Sequence, residues 1–260
     1  MSKLKSLLCD AARFKIEEIK LEFDFDLEKY PYPQLMSLPH VLFNSDSLTS
    51  LELTMKFMLL CEYGVYKHHE PEFPIEFPNS IWRLPSLKTL HIEWFEDWEQ
   101  LILPGCPVLE ELILQCRKSY KTISIASASI QRLTLECFFL SHCNDLEVNC
   151  SNLQSLNISD WRGRGDIQVC DLYSLVEANI DIDCTDYYWE SPLRWVEDPP
   201  IPEILEGIRH VKSLTLTSST LEAIQFLLRH KKMTVDKLPI FYNLTHLELE
   251  LNGVEKELFY

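Results

Sequence analysis

The sequence predicts an α/β fold, an irregular leucine-rich repeat solenoid with a parallel sheet on its concave side and helices and loops on its convex side. The first observation is a phrase, apolar-x-x-apolar-x-apolar, that occurs nine times in order. The second is its spacing, since the starts at Leu87, Leu109, Ile130, Leu153 and Leu175 lie 21 to 23 residues apart, within the usual repeat period. The third is that each phrase ends in alternating apolar and polar residues, which is typical of a strand that buries one face.

Nine strands are expected, one for each phrase. The phrases start at Ile16, Leu48, Leu87, Leu109, Ile130, Leu153, Leu175, Val211 and Leu244. A single unit cannot bury its apolar residues alone, so the units should stack into one domain over residues 1–260. Residues 1–14 are predicted to form an N-terminal helical cap and residues 94–103 a helix that ends at a Pro-Gly pair. The proline-containing residues 183–203 are predicted to form an inserted loop.

Two local features modify this pattern. The ninth position of a leucine-rich repeat is usually asparagine or cysteine. It is Arg117, Phe138 and Trp161 in the three repeats that start at Leu109, Ile130 and Leu153, so the solenoid should be irregular. After the eighth phrase, Ser219 or Thr220 is expected to cap a helix. The buried face of that helix is predicted to carry Leu221, Ile224, Leu227 and Leu228.

Composition narrows the possible functions. The chain has 40 acidic and 24 basic residues and a formal net charge of −16, which repels a phosphate backbone, so no nucleic-acid partner is expected. No apolar run is long enough to cross a membrane, and no membrane partner is expected. The nine cysteines are scattered and follow no secretion signal. They are therefore interpreted as reduced thiols of a protein in the cytoplasm or nucleus.

Several of the phrases lie in longer segments that resemble one family. Residues 84–91 read LPSLKTLH, residues 105–112 read GCPVLEEL, and residues 174–178 read SLVEA; residues 208–216 and 241–249 continue the series. Together and in this order they resemble the leucine-rich region of plant F-box/LRR and F-box/FBD/LRR proteins. In that family a substrate-recognition solenoid follows an F-box, which docks on a Skp-type adaptor of a cullin ubiquitin ligase. The resemblance implies a protein–protein interaction module and no enzymatic activity.

The family's F-box and FBD domain have no counterpart in the predicted repeats. Residues 1–13 are too few to form an F-box, and no FBD domain is expected to follow Tyr260. We therefore expect recognition of a partner protein without recruitment of the ligase. Purified protein should not co-migrate with a Skp-type adaptor on gel filtration, and a stable complex at micromolar concentration would contradict this expectation.

The strand alternation also predicts which side chains point away from the core. We call this side the open face; it consists of positions three, five and seven of each phrase. These positions hold ten carboxylates and two bases, Lys20 and Arg132. Complementarity favours a basic protein partner, and the alternative is a solvated acidic face without a ligand. Glu93, Glu111 and Glu136 are expected to lie close together. The candidate partner-binding residues are Glu52, His91, Glu93, Glu111, Arg132, Glu136, Asn157, Glu177, Asp181 and Glu248.

Three other interpretations remain open at this stage. Cys137, His142 and Cys143, with Cys150 nearby in sequence, could serve an enzyme, but their spacing lacks the C-x2-C pairs of zinc sites. No metal, cofactor or catalytic residue is therefore predicted. The chain could also be a degenerate or partial gene product without a partner. The aromatic segment 187–189 could anchor a partner or pack on the edge of the solenoid.

Overall fold

The computed structural model confirms the predicted fold class, with parallel repeat strands and few helices. The chain divides into two compact units, Met1–Glu110 and Glu111–Tyr260. The structure describes residues 6–10, 14–26, 36–58, 75–77, 80–93, 102–116, 123–137, 146–161, 167–170, 172–182, 185–186, 194–195, 201–229 and 234–251.

The first unit contains the strands of the first three phrases, β1, β3 and β5, which pair in parallel. In chain order its elements are β1 (Glu18–Asp26), β2 (Met36–Ser37), a 3₁₀ turn (His40–Phe43), β3 (Ser50–Met58), β4 (Ile75–Glu76), β5 (Thr89–Glu93) and a second 3₁₀ turn (Leu103–Gly105). Strand β3 pairs with β1 and with β5, and the short β2 and β4 pair with each other. Residues 6–10 are helical, and Leu8 on them is buried.

The second unit contains six repeat strands, all parallel. In chain order its elements are β6 (Glu111–Cys116), β7 (Ile123–Ala126), β8 (Arg132–Cys137), β9 (Leu146–Asn149), β10 (Ser155–Trp161), β11 (Ile167–Cys170), β12 (Glu177–Ile182), β13 (Thr185–Asp186), β14 (Arg194–Trp195), α1 (Ile201–Gly207), β15 (Ser213–Thr217), α2 (Ser218–Arg229), a 3₁₀ turn (Val235–Lys237) and β16 (His246–Glu250). The repeat strands are ordered β6-β8-β10-β12-β15-β16.

The apolar residues of the phrases form the core, in the predicted register. In the second to eighth phrases, all of them are at most 7% exposed. Equivalent residues face each other across strands, as Leu112 and Leu133 do between β6 and β8. The last phrase differs, since Leu247 is 53% exposed and Leu249 44% exposed. The strand β16 that carries them has a described neighbour on one side only, β15.

Three of the segments that connect successive repeat strands contain short strands, where helices and loops are predicted. Strands β7, β9 and β11 form a separate parallel sheet in the order β11-β9-β7. Their sequences, ISIA, LEVN and IQVC, alternate apolar and polar residues, and the apolar ones are mostly buried. Isoleucine and valine favour the extended backbone because branching at Cβ restricts their side chains. Alternation over only four residues therefore suffices when the strands can stack on one another.

Helix α2 forms where a helix is predicted, but it starts earlier and buries a different face. The hydroxyl oxygen of Thr217 accepts the Thr220 backbone N–H at 3.5 Å, so the cap lies before Ser219. The buried residues are Thr220, Ala223 and Leu227, so of the predicted face only Leu227 is confirmed. The other three predicted residues, Leu221, Ile224 and Leu228, are half-buried. The reason is the buried Thr220 hydroxyl, which donates to the Ile180 carbonyl at 2.9 Å and turns this side of α2 toward β12.

The other predicted connecting segments lie largely outside the described residues. Of the helix predicted over residues 94–103, residues 94–101 are not described, and residues 103–105 form a 3₁₀ turn. Within the predicted insertion 183–203, β13 and β14 pair antiparallel and α1 begins at Ile201. The aromatic residues 187–189 fall in the part that the structure does not describe.

A ladder of polar side chains joins successive turns in place of the missing asparagines. Its members stand immediately before the leading apolar residue of a phrase, and each donates a hydrogen bond to a backbone carbonyl in the turn of the preceding phrase. Each bond gives a turn carbonyl a partner within the protein, and unpaired backbone groups are costly. The bonds are Ser47 to Ile16 (3.1 Å), Ser86 to Asp46 (2.7 Å), Asn152 to Ala128 (2.7 Å) and Asn243 to His210 (3.3 Å).

Candidate recognition surface

The open face is formed by the strand residues that alternate with the buried leucines. Because the strands pair in register, their polar side chains stand in rows that run across the sheet. In the second unit two rows cross all six strands, Glu111-Arg132-Ser155-Glu177-Ser213-His246 and Ile113-Thr134-Asn157-Asn179-Thr215-Glu248, in which Ile113 is the one apolar member. A third row is interrupted by a register shift between β10 and β12, so it consists of Gln115-Glu136-Ser159 on one side and Asp181-Thr217-Glu250 on the other. All eighteen residues are exposed or half-exposed, in contrast to the buried apolar residues that alternate with them on every strand of this set except β16.

In the first unit, the open face carries a cluster centred on Glu52. The Lys20 ammonium lies 2.7 Å from the Glu52 carboxylate, and Nδ1 of His91 lies 3.6 Å from the same oxygen. Strand pairing places these three residues in one row. The single base of this unit's described open face is therefore already bound to a carboxylate. The Nε2 atom of His91 is buried and has no hydrogen-bond partner among the described residues.

At the start of the second unit, the charged side chains again have partners within the face, a base for Glu111 and a neutral amide for Glu136. Nη2 of Arg132 lies 3.2 Å from the Glu111 carboxylate on the neighbouring strand. The Gln115 amide donates to the Glu136 carboxylate at 2.9 Å. Both contacts lie between β6 and β8 and are partly exposed, so each adds little to stability. Their effect is to satisfy the polar groups of these two strands locally.

In the middle of the second unit, two asparagines form an uncharged polar pair that has carboxylates beside it. The Asn179 amide donates to the side-chain oxygen of Asn157 at 3.1 Å, which links β10 and β12. The side-chain oxygen of Asn179 is buried and has no donor among the described residues. Beside it on β12 stand Glu177, which is exposed, and Asp181, which accepts a 2.6 Å bond from the Thr217 hydroxyl.

The structure brings most of the candidate residues onto the open face in three groups, and corrects one detail. Glu111 and Glu136 are not neighbours, because strand pairing places Glu111 opposite Arg132 and Glu136 opposite Gln115. Glu93 ends β5, and its side chain lies outside the described residues. The groups are Glu52 with His91 in the first unit, Glu111 with Arg132 and Glu136 on β6 and β8, and Asn157, Glu177, Asp181 and Glu248 on β10, β12 and β16.

Sequence reasoning missed several partners on this face. Lys20, Gln115 and Thr217 each bind a candidate carboxylate, yet none was a candidate. Alignment of the phrases would have found the first two, because equivalent phrase positions face each other in a repeat sheet. The Thr217 contact has no comparable signal, since it depends on side-chain conformation at the end of two strands of unequal length.

The cysteine–histidine cluster gains no support from its described members. His142, Cys143 and the side chain of Cys137 lie outside the described residues. Cys150 is buried, its thiol lies 3.7 Å from the Ile125 carbonyl, and burial raises the pKa of the thiol to about 11. Burial likewise raises the pKa of the Cys106 thiol to about 12. Because the thiolate is the reactive form, neither of these two cysteines is suited to act as a nucleophile at neutral pH.

Within the described residues, no three histidine, cysteine, aspartate or glutamate residues are grouped so as to hold a metal ion. No helix in that part of the chain is both long and apolar enough to pass through a bilayer.

The repeat strands, their leucine core and the polar open face define a leucine-rich repeat protein. Similarity to known proteins leads to a particular group within that class. The chain is 33% identical over 171 residues to the F-box/LRR-repeat protein At1g06630 of Arabidopsis thaliana, which covers 63% of this chain and 38% of the relative. It is 30% identical over 228 residues to the F-box/LRR-repeat protein At2g42720, and 29% identical over 246 residues to the F-box/LRR-repeat protein At4g14096, both also of Arabidopsis thaliana.

The last two similarities cover 82% and 88% of this chain, and 44% and 45% of the relatives. The predicted resemblance to plant F-box/LRR proteins is thereby confirmed. The chain spans less than half the length of each of these three relatives. No family model matches the chain, and no solved structure matches it either.

Proposed function

We propose that this chain is a protein-recognition module of the F-box/LRR type, which binds a partner protein through its open face and has no catalytic activity of its own. The names of its relatives support the class, since each is called an F-box/LRR-repeat protein. The proposal concerns recognition, which corresponds to the substrate-recognition part of a ubiquitin-ligase subunit. We place its action in the cytoplasm or nucleus, because reduced thiols such as the buried Cys106 and Cys150 persist there.

One observation carries the proposal: the two sides of the repeat strands differ sharply in burial. The apolar residues of the second to eighth phrases are at most 7% exposed. The residues that alternate with them on β6, β8, β10, β12 and β15 are solvent-accessible and, apart from Ile113, polar. Such a row of polar side chains adds little to the core. An extended sheet face of this kind is the surface that solenoid proteins use for binding.

Charge supports a basic protein as the partner. The open face holds ten carboxylates and two bases in the sequence, and both bases already contact carboxylates on the same face. The remaining negative potential would steer a basic partner to the face and would repel a nucleic-acid backbone. Salt should weaken this attraction, because charges are screened beyond about 8–10 Å at physiological ionic strength.

The test is capture of partner proteins from a plant cell extract by wild type and by a charge-reversed variant. The variant carries Glu111→Lys, Glu136→Lys and Glu177→Lys on three strands of the open face. A control carries Glu17→Lys, Glu203→Lys and Glu222→Lys, which are exposed and lie outside that face. We expect the open-face variant to lose the proteins that wild type captures and the control to keep them.

Capture by wild type should also weaken as salt rises from low to physiological concentration and beyond. Both variants must first show the thermal unfolding transition of wild type, since surface charges contribute little to stability. Equal loss of partners by the two variants, or capture that is indifferent to salt, would contradict recognition by the open face.

A further inference from the structure

On the open face of the second unit, β15 carries short side chains and its two neighbours carry longer acidic ones, and we call this strip the β15 trough. Its floor consists of Ser213, Thr215 and Thr217 on β15, which are half-exposed. Its walls are the open-face residues of β12 and β16, which pair with β15 on either side. The walls lie two strand spacings apart, about 9–10 Å. We infer that the trough is the docking site for an extended, lysine- or arginine-containing segment of the partner protein, an inference that rests on the proposed function.

Three glutamates of the walls supply negative charge that no base among the described residues contacts. Glu177 stands opposite Ser213, Glu248 opposite Thr215 and Glu250 opposite Thr217. These three glutamates are exposed, and none has an ion-pair or hydrogen-bond partner among the described residues. Asp181 adds a fourth carboxylate at the end of the β12 wall. The open-face positions of β12, β15 and β16 hold no lysine or arginine, and His246 is their one ionisable nitrogen base.

The floor supplies short side chains with hydrogen-bonding capacity. The hydroxyls of Ser213 and Thr215 have no hydrogen-bond partner in the part of the chain that the structure describes. Serine and threonine are shorter than the glutamates beside them, so the backbone of an extended segment can approach the floor between the walls. Its peptide groups would then meet the two hydroxyls, and its basic side chains would reach the carboxylates on either side.

The equivalent three strands at the start of this unit lack these properties, which is why the inference concerns β15. There the middle strand, β8, carries the long side chains of Arg132 and Glu136 on its open face. Both side chains contact residues of the neighbouring strand β6, Arg132 the Glu111 carboxylate and Glu136 the Gln115 amide. A basic segment would have to displace Arg132 before it could pair with Glu111. Apart from Glu136, whose partner Gln115 is uncharged, the carboxylates of the second unit's open face that have no base beside them therefore lie around β15.

The binding test uses two fluorescent peptides, one of alternating lysine and serine and one in which glutamine replaces every lysine. Fluorescence anisotropy with the full chain should show binding of the lysine peptide only, weakening as salt is added. A variant with Glu177→Gln, Glu248→Gln and Glu250→Gln should lose at least tenfold in affinity. A control with Glu17→Gln, Glu203→Gln and Glu222→Gln has the same net charge and should stay within about twofold of wild type.

A second pair of variants separates docking in the trough from general attraction. Thr215→Tyr fills the floor without changing the charge, and Thr134→Tyr makes the same change at the equivalent position of β8. We expect Thr215→Tyr to lower the affinity for the lysine peptide at least tenfold and Thr134→Tyr to leave it nearly unchanged. Thermal unfolding of each variant verifies that it is folded.

Equal effects of the two tyrosine variants, or equal binding of the two peptides, would contradict docking of a basic segment in the β15 trough. The proposed function is judged separately, by partner capture with the Glu111, Glu136 and Glu177 reversals. If that capture is lost while Thr215→Tyr still binds the lysine peptide like wild type, recognition lies elsewhere on the open face. If the peptide result holds but the reversals leave partner capture unchanged, the open face is not the partner's site and both proposals are contradicted.

Discussion

Truncation of Leu112 or Leu133 to alanine is expected to lower the free energy of unfolding by about 2–5 kcal/mol. Both leucines are at most 1% exposed and face each other between β6 and β8. The loss has two parts, the transfer free energy of the removed carbons and the cavity that the stacked repeats cannot fully close. Urea unfolding followed by circular dichroism measures the change.

The controls lie one strand position away, on the open face. Glu111→Ala and Thr134→Ala should each change the free energy of unfolding by no more than about 0.5 kcal/mol. Both side chains are half-exposed, and the contact of Glu111 with Arg132 is at the surface. Equal destabilisation at the leucine and open-face positions would show that the assigned strand register is wrong.

Replacement of Gly105 by alanine is expected to destabilise the first unit by about 3 kcal/mol. A Cβ at this position would lie 1.5 Å from the backbone oxygen of Trp82, and no side-chain rotation can relieve a clash with backbone. The same segment is held by a 3.0 Å bond from the Leu84 N–H to the Gly105 carbonyl. Trp82 in turn packs against Phe43, with ring centroids 4.2 Å apart, so its movement would disturb the core.

Gly207 at the end of α1 provides a graded comparison for this prediction. There an added Cβ would meet the side chain and carbonyl of Val169 at 2.8 and 2.9 Å, a milder overlap. Gly207→Ala should therefore cost less than Gly105→Ala in urea unfolding. If Gly105→Ala unfolds like wild type, the close approach of Gly105 to Trp82 is wrong.

The strand register could be predicted from the sequence because it depends on local alternation. Leu112 and Leu114 occupy phrase positions two residues apart, and in a stacked repeat that spacing alone assigns the buried side. The short strands β7, β9 and β11 were missed, since an alternation such as Ile123-Ser124-Ile125 is too brief to distinguish from a loop. Its meaning depends on neighbours 20 or more residues away in the chain.

The sequence predicts which residues lie on the open face, but not which of their charges are paired with a neighbouring side chain. Period two places Glu111, Arg132 and Glu177 on one face, and the structure agrees. The sequence does not show which carboxylates are already satisfied, because that depends on the reach of each side chain toward the next strand. Glu111 contacts Arg132, whereas Glu177 stands between the short Ser155 and Ser213.

The central claim is that a partner protein contacts the open face of the repeat strands. Site-specific photo-cross-linking tests this most directly, with a benzophenone amino acid placed at Thr134 or Asn157 on the open face. Glu147 on β9 and Gln168 on β11 serve as controls, since both are exposed and lie on the separate sheet of short strands. Our account predicts that a partner captured by the chain is cross-linked from Thr134 and Asn157 and not from the two controls. Cross-links mainly from Glu147 or Gln168 would contradict it.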